Sequence, residues 1–195
     1  MDSLSYSLGV IVGQNIKSQG IDGIDTTSLA NGLADMLSGA ALKIDMQEAN
    51  AILNDYFKMK QMAQFESIIE EGRLFLAENG QRAEVVTLES GLQYEILSAG
   101  TGARPLVSDR VTVHYHGSLL SGQVFDSSVE RGSPATFGVG QLIAGWTEAL
   151  QLMPEGSKWR LYIPYDLAYG DRGAGQDIPP YATLVFDIEL IKIVK

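Results

Sequence analysis

The sequence predicts an α+β fold: an all-helical N-terminal dimerisation region, a long connecting helix, and a C-terminal antiparallel β-sheet wrapped on one short helix. Apolar residues repeat at helical spacing through residues 1–87, whereas alternating, strand-like segments dominate the remainder. Composition changes at the same place, because all 6 prolines lie after residue 104 and both tryptophans lie at positions 146 and 159. We therefore place a domain boundary near residues 85–90.

Bulk composition limits the classes of function. The 195-residue chain has a net charge of −10, so we expect no nucleic-acid partner, because phosphates would be repelled. The absence of cysteine excludes disulfides, thiolate metal ligands and cysteine nucleophiles. No run approaches the roughly 18 apolar residues of a membrane helix, so no membrane insertion is expected.

The N-terminus leads to two expectations about localisation. Residues 1–4 have neither the basic nor the apolar region of a signal peptide. We expect a cytoplasmic protein if Met1 is the native start. If the sequence is a trimmed mature chain, we expect a periplasmic or surface protein.

Two short helices are expected first. Gly20 and Gly23 end the apolar pattern of the first helix, and Asp25 and Thr26 are candidate N-caps of the second. The apolar stripes comprise Leu4, Leu8, Ile11, Val12 and Ile16 in the first helix, and Leu29, Leu33, Met36, Leu37 and Ala40 in the second.

A much longer helix is predicted next. Asp45 and Glu48 resemble a capping box at its start, and an apolar stripe continues to about Arg82. A helix of roughly 38 residues would be about 57 Å long, which is too long to lie wholly on one small core. The predicted division is a helical dimerisation segment at 1–45, a long connecting helix at 46–86 and a further domain at 87–195.

The helical segment needs a partner. Its short apolar helices cannot bury their faces alone, so we predict a homodimer formed through residues 1–45. We interpret Met59, Met62 and Phe65 as core or dimer packing, and the alternative is an exposed face that binds client proteins.

The second half alternates as strands around one helix. Ile143, Trp146 and Leu150 belong to a short helical pattern that ends before Pro154. The strand-like segments are residues 92–97, 111–115, 158–163 and 183–193. Many strands and one helix predict an antiparallel sheet wrapped on that helix.

Familiar catalytic constellations are poorly represented. The two histidines, His114 and His116, share one face of a strand opposite Tyr115, and we interpret them as part of that face rather than as a zinc site. No Gly-x-Ser-x-Gly elbow supports a catalytic triad, and residues 138–140 lack the third glycine of a phosphate-binding loop. We therefore expect no metal and no cofactor.

Several motifs in register resemble those of FKBP-type peptidyl-prolyl cis-trans isomerases. They are residues 111–117 (VTVHYHG), 122–128 (GQVFDSS), 145–146 (GW), 167–170 (LAYG) and 178–190 (IPPYATLVFDIEL). This resemblance covers roughly residues 88–195 and identifies 87–195 as an FKBP-type domain. The helical layout, with residues 5–9 (SYSLG) and 76–79 (LAEN), resembles the macrophage-infectivity-potentiator-like bacterial branch, in which N-terminal segments intertwine and long helices hold two isomerase domains apart.

The resemblance implies a cofactor-free isomerase, or rotamase, with folding-chaperone activity aided by dimerisation. Its expected partners are proline-containing peptides, unfolded protein clients and macrolide inhibitors such as tacrolimus. Catalytic roles are implied for Tyr115, Asp126, Tyr169 and Phe186, and substrate-binding roles for Phe125, Arg131, Phe137, Leu142, Ile143, Trp146 and Ile178.

Within that implied site the roles differ. Trp146 would form the floor of an apolar cavity, and Arg131 would fix the side chains of Asp126 and Tyr115. The backbone N–H of Ile143 would donate a hydrogen bond to a substrate carbonyl.

Two positions depart from the family pattern, because Ala135 replaces an aromatic residue and Asp177 replaces an apolar one. We expect them to alter the preference for the residue before proline. The alternative function is a non-catalytic FKBP-like module that binds proline-containing segments or acts as a holdase.

Overall fold

The computed structural model describes residues 2–194 and confirms the α+β fold, with five α-helices and one seven-stranded antiparallel sheet. The helices are α1 (Ser3–Ser18), α2 (Thr26–Ser38), α3 (Met46–Gln64), α4 (Glu66–Asn79) and α5 (Ala144–Leu152). The strands are β1 (Val85–Thr87), β2 (Gln93–Ser98), β3 (Arg110–Leu119), β4 (Val124–Ser127), β5 (Ala135–Gly138), β6 (Lys158–Ile163) and β7 (Leu184–Val194). Two 3₁₀ turns lie at Val139–Gln141 and Tyr165–Leu167.

The chain divides into two compact units between Tyr56 and Phe57, a point that lies inside α3. The first unit contains α1, α2 and the first part of α3. The second contains the end of α3 together with α4, α5 and the whole sheet. Within residues 2–194, no helix has both the length and the apolar content that crossing a membrane requires.

Aspartate side chains cap the N-termini of helices in the first unit. The Asp25 carboxylate accepts hydrogen bonds of 2.7 and 2.9 Å from the backbone N–H groups of Thr27 and Ser28 at the start of α2. At the start of α3, Asp45 accepts a 2.8 Å bond from the N–H of Glu48. These bonds satisfy N–H groups that have no partner inside the helix, which is why the predicted caps mark real helix starts.

The sequence predicts one long helix over residues 46–86, and this prediction is wrong in two respects. The helix is interrupted at Phe65, and its second part ends at Asn79. Phe65 has φ −112° and ψ 15°, and its N–H donates to the carbonyl of Met62 instead of to the residue four back. No proline or glycine causes the break. The Phe65 ring packs at 5.8 Å from the Tyr181 ring, a tertiary contact that the periodicity of the stripe does not reveal. Met59, by contrast, is exposed.

Residues 2–56 have no core of their own. No side chain in this range is buried, and α1 exposes a row of large apolar residues. Leu8 is 59% exposed in α1 and Leu37 is 86% exposed in α2. Amphipathic helices gain most of their stability from packing an apolar face, and a single copy of this unit buries none of these side chains fully.

The sheet runs in the order β1-β2-β6-β7-β3-β4, and β5 pairs with β3 off this path. β3 and β7 pair from Arg110 opposite Val194 to Leu119 opposite Leu184. Alternate residues of β3 are buried, and Tyr115 is among them. His114 and His116 lie on the other face, where each Nδ1 is 3.0 Å from a serine hydroxyl. Within the described residues, no cluster of three or more His, Cys, Asp or Glu could hold a metal ion.

A single core joins α5 to the sheet. Trp146 and Leu150 of α5 are buried in one cluster with side chains from β3, β6 and β7. Its fully buried strand residues include Val111, Val113, Leu161, Ile163, Leu184, Ile188 and Leu190. Each fully buried aliphatic side chain contributes about 1.5–3 kcal/mol relative to exposure, so this cluster is the main source of stability in the second unit.

Helix α4 also packs on the sheet domain. The side-chain amide of Gln93 donates 2.8 Å to the carbonyl of Leu76, and the rings of Phe75 and Tyr162 lie 5.7 Å apart. Gly72 is required by this packing, because a Cβ at its position would lie 2.4 Å from the Thr183 hydroxyl. The second unit therefore includes α4 as an integral part.

Candidate active site

A cavity of about 420 Å³ opens between α5, the sheet and the segment before β7. Its lining residues are Tyr115, Phe125, Asp126, Phe137, Leu142, Ile143, Trp146, Tyr169, Ala174, Gly175, Asp177, Ile178 and Phe186. Every site residue that the sequence predicts is in this list except Arg131. That residue lies just behind the lining and bonds to two members of it.

Trp146 lies at the centre of the aromatic lining. Its ring meets those of Tyr115, Phe137 and Phe186 edge-to-face, with centroids 5.4, 6.1 and 5.2 Å apart. Phe125 in turn meets Phe186 at 5.4 Å and 80°. Edge-to-face pairs are favoured by the aromatic quadrupole, so these rings hold one another in a fixed apolar surface.

Two glycines allow these rings to approach the backbone. A Cβ at Gly117 would lie 2.5 Å from the Phe186 ring and 2.7 Å from the Phe125 ring. A Cβ at Gly145 would lie 2.5 Å from Ile163, so only glycine lets the start of α5 lie this close to β6. Gly145 thereby lets the helix that carries Trp146 pack closely on β6.

One carboxylate network faces the apolar rings. The Tyr115 hydroxyl donates a 2.5 Å hydrogen bond to Asp126, and Arg131 forms an ion pair with the same carboxylate. Arg131 also donates 2.7 Å to the Tyr115 hydroxyl. Ser128, which follows β4, fixes this part of β3. Its backbone N–H donates to the carbonyl of Tyr115, and its hydroxyl accepts from the N–H of Tyr115. The three polar groups are thus mutually oriented before any ligand binds.

Protonation states follow from this network. Partial burial raises the pKa of Asp126, but the hydrogen bonds from Tyr115 and Arg131 and the charge of Arg131 outweigh it, and the net pKa lies below the ordinary value. Burial, and then the Asp126 carboxylate, raise the pKa of Tyr115. Burial and the charge of Asp126 likewise raise the pKa of Tyr169. At neutral pH Asp126 is therefore an ionised carboxylate, and Tyr115 and Tyr169 are neutral phenols.

Two donors are available at the cavity wall. Ile143 precedes the first residue of α5, and its backbone N–H has no acceptor within the part of the chain that the structure describes. Tyr169 also lines the cavity, and its hydroxyl belongs to a side chain that is 39% exposed. The indole N–H of Trp146 is buried and has no partner within residues 2–194.

Two lining residues, Ala174 and Gly175, were not predicted to contribute to the site. Asp177, which is expected from the sequence to alter the preference for the residue before proline, is also in the lining, next to Ile178. The sequence signal was available, because the polar glycine-containing run directly precedes the Ile178-Pro179-Pro180 motif. Ala135, the other departure from the family pattern, is not in the lining and packs against the core from β5, opposite Val113.

Comparison with known proteins agrees with this geometry. The family described as FKBP-type peptidyl-prolyl cis-trans isomerase matches residues 102–191, and the domain amino terminal to such isomerases matches residues 1–96. The outer membrane protein MIP of Legionella longbeachae is 49% identical over 100% of this chain and 86% of its own length. The FKBP-type 22 kDa isomerase of Escherichia coli is 45% identical over 97% of this chain and 93% of its own.

Solved structures agree as well. FkpA from Escherichia coli has a TM-score of 0.66 at 34% identity and covers 98% of this chain and 93% of its own. A peptidyl-prolyl cis-trans isomerase from Pseudomonas syringae has a TM-score of 0.63 at 43% identity and covers 67% of this chain and 96% of its own. The predicted family is therefore confirmed: the chain belongs to the FKBP-type peptidyl-prolyl cis-trans isomerases and is an enzyme of that class.

Proposed function

We propose that the cavity around Trp146 is the active site, where X–Pro bonds rotate, and that the N-terminal helices join two copies that hold unfolded clients together. One observation carries the first part. The catalytic and binding residues expected from the sequence, which span residues 115–186, meet around one cavity. The neighbouring Arg131 orders the single carboxylate among them.

The reaction needs an environment rather than a nucleophile. The barrier to rotation about a peptide bond is about 18–20 kcal/mol, because resonance gives the C–N bond double-bond character. The two isomers of an X–Pro bond differ little in energy, but uncatalysed exchange takes tens of seconds or longer. An acceleration of ~10⁵ requires about 7 kcal/mol of stabilisation that acts on the twisted bond more than on the planar one.

Apolar walls supply part of this difference. Hydrogen bonds from water to the amide oxygen stabilise the planar, polarised form, so removing water from that oxygen favours rotation. Phe137, Trp146 and Phe186 would receive the proline ring, while Tyr115 and Phe125 flank it. The unpartnered N–H of Ile143 would hold a carbonyl of the peptide, which fixes one side of the bond while the other turns.

The carboxylate network supplies orientation and charge. Asp126 stays ionised at neutral pH, held by Arg131 and Tyr115, and faces the cavity. If Asp126 lies nearer to the carbonyl oxygen than to the nitrogen of the bound peptide bond, its negative charge opposes the charge separation of the planar amide and favours the twisted geometry. The Tyr169 hydroxyl, a neutral donor in the lining, would donate to the peptide.

Dimerisation would increase the hold on long clients. With two pockets in one assembly, the second contact with the same client is intramolecular, which raises apparent affinity without any new contact. Support comes from the exposed apolar row on α1 and from the lack of a buried residue within residues 2–56. The FkpA and MIP relatives match over the whole chain, including these helices.

The test is the relaxation rate from cis to trans of a short X–Pro peptide, with and without tacrolimus. Asp126→Leu should reduce kcat/KM by about 10- to 100-fold, which corresponds to the 1.5–3 kcal/mol of hydrogen bonds to a charged group. Asp187→Leu is the matched control. Asp187 forms an equivalent ion pair with Arg160 on a strand position outside the cavity lining.

Acceleration that tacrolimus blocks and that Asp126→Leu alone reduces would support the proposal. Equal losses in both variants would mean that the carboxylate acts only through folding. A well-folded wild-type protein without acceleration would favour a module that binds proline-containing segments.

A further inference from the structure

One wall of the cavity is a single segment, residues 169–181, which we call the rim loop. Its lining residues are Tyr169, Ala174, Gly175, Asp177 and Ile178. Ala174 and Ile178 close its tip by exchanging backbone hydrogen bonds of 2.9 and 3.1 Å. A Cβ at Gly173 would lie 2.3 Å from the Ile178 carbonyl oxygen, so the tip is tightly folded. Such a tip moves as one piece when the base of the loop shifts.

Tyr181 fixes the base of the rim loop. It is 2% exposed, and its N–H donates 2.9 Å to the carbonyl of Gly170. Within residues 2–194 it is the only residue other than glycine with positive φ, at 62°. This conformation is unfavourable for a residue with a Cβ and persists where packing enforces it. The enforcing contacts are ring packings with Tyr165 at 5.3 Å and with Phe65 at 5.8 Å.

A second attachment comes from the last turn of α3. The side-chain amide of Gln61 donates a 2.7 Å hydrogen bond to the carbonyl of Asp171, which is 110 residues further along the chain. Gln61 and Phe65 are four residues apart and therefore lie on one side of the helical path. The helix breaks at Phe65, the residue whose ring contacts Tyr181. The end of α3 thus holds the rim loop at two points.

We infer that Gln61 and Phe65 are positioning residues, which hold the rim loop where its tip can contact a bound peptide. The inference rests on the proposed use of the cavity as the active site. Neither residue lines the cavity, so each acts through the loop. The carboxylate network stands on β3 and on the β4 segment, away from these attachments. Tyr169 is the one residue of the rim loop with a proposed catalytic role, and the other four lining residues of the loop only contact the peptide. Loss of an attachment should therefore weaken peptide binding by a larger factor than it slows turnover of bound peptide.

The experiment uses the full chain with Gln61→Glu, a change of the same shape that replaces the amide donor by a carboxylate. Gln64→Glu is the matched control, because Gln64 lies in the same turn of α3 and is exposed. Gln61→Lys restores an N–H donor. The measurements are KM and kcat for a short X–Pro peptide, together with hydrogen exchange at the amides of Ala174 and Ile178.

Gln61→Glu should raise KM by about 3- to 10-fold, the range expected for one net hydrogen bond, and kcat should fall by a smaller factor than KM rises. The Ala174 and Ile178 amides should exchange faster in this variant. Gln64→Glu should match the wild type, and Gln61→Lys should recover most of the loss. Phe65→Leu, which keeps an apolar side chain but shortens its reach to Tyr181, should change KM in the same direction.

Equal KM and equal exchange in the Gln61→Glu and Gln64→Glu proteins would overturn the inference. A fall in kcat without a rise in KM would also overturn it, because the network rather than the loop would then be affected. Failure of the proposed function would be visible in a separate measurement, as equal turnover by the wild type and by Asp126→Leu. The exchange measurement decides the position of the loop even in that case.

Discussion

Residues 2–56 and residues 57–194 obey the same local rules of helix formation but differ completely in burial. The first region has capped helices with apolar stripes and not one buried side chain. The second encloses a continuous core centred on Trp146. Caps and periodicity therefore suffice to specify helices, whereas stability requires a surface on which the apolar stripe of each helix can pack. In the second region the chain provides that surface, and in the first we propose that a second copy does.

The largest expected effect is in the core. Trp146→Ala should destabilise the second region by about 3–5 kcal/mol, because it removes a large buried side chain and leaves a cavity. Denaturant unfolding followed by Trp159 fluorescence measures this change. Leu106→Ala, at an exposed position, should stay within about 0.5 kcal/mol of the wild type. A similar small loss for Trp146→Ala would break the contrast between the two regions.

The next effect tests what covers the apolar row of the first region. Leu8→Arg should weaken the dimer by about 100-fold or more, because a charge would have to be buried in an apolar interface. Analytical ultracentrifugation measures the association, and Gln14→Arg, at an exposed polar position of α1, is the control. Short-peptide turnover should be unchanged and refolding of a protein client should slow. Identical masses for both variants would contradict dimerisation through this face of α1.

A pair of helical glycines sharpens the comparison. Gly72→Ala in α4 should cost about 1–3 kcal/mol, because its Cβ would meet the Thr183 hydroxyl at 2.4 Å. Gly32→Ala in α2 has open space within 4 Å and should stabilise by up to about 1 kcal/mol through helix propensity. Thermal unfolding of each variant checks both signs. Destabilisation by Gly32→Ala would indicate that another copy covers that face of α2.

The smallest expected effect is with pH. The pKa of Asp126 is lower in the folded protein than in the unfolded chain, where it is about 3.9. The contribution of Asp126 to stability is therefore complete above the unfolded pKa and is lost as pH falls through the folded pKa. The raised pKa values of Tyr115 and Tyr169 act oppositely, giving stability below about 10 that is lost as pH rises through the folded values. We expect kcat/KM to be flat between about pH 5 and 9. An inflection between these limits would contradict this assignment of the ionisable groups.

The sequence anticipated much of the site because its residues lie in short motifs with their own geometry. Alternation along β3 puts Tyr115 in the core and the histidines on the other face, as expected from the period of a strand. The motif residues then converge because β3, β4, β5 and β7 are neighbours in one sheet. Ala174 and Gly175 were missed because small residues in a loop carry no periodicity that would mark them as part of a site.

What the sequence determined by itself is local: the caps at Asp25 and Asp45, the apolar stripes, the strand alternation and the family motifs. These signals act between residues a few positions apart, so they can be read along the chain. Only the tertiary structure decided that the long helix breaks at Phe65, that α4 belongs to the sheet domain and that Gln61 holds the rim loop. Those outcomes depend on contacts such as Gln61 with Asp171, 110 residues apart, whose energies no local pattern encodes.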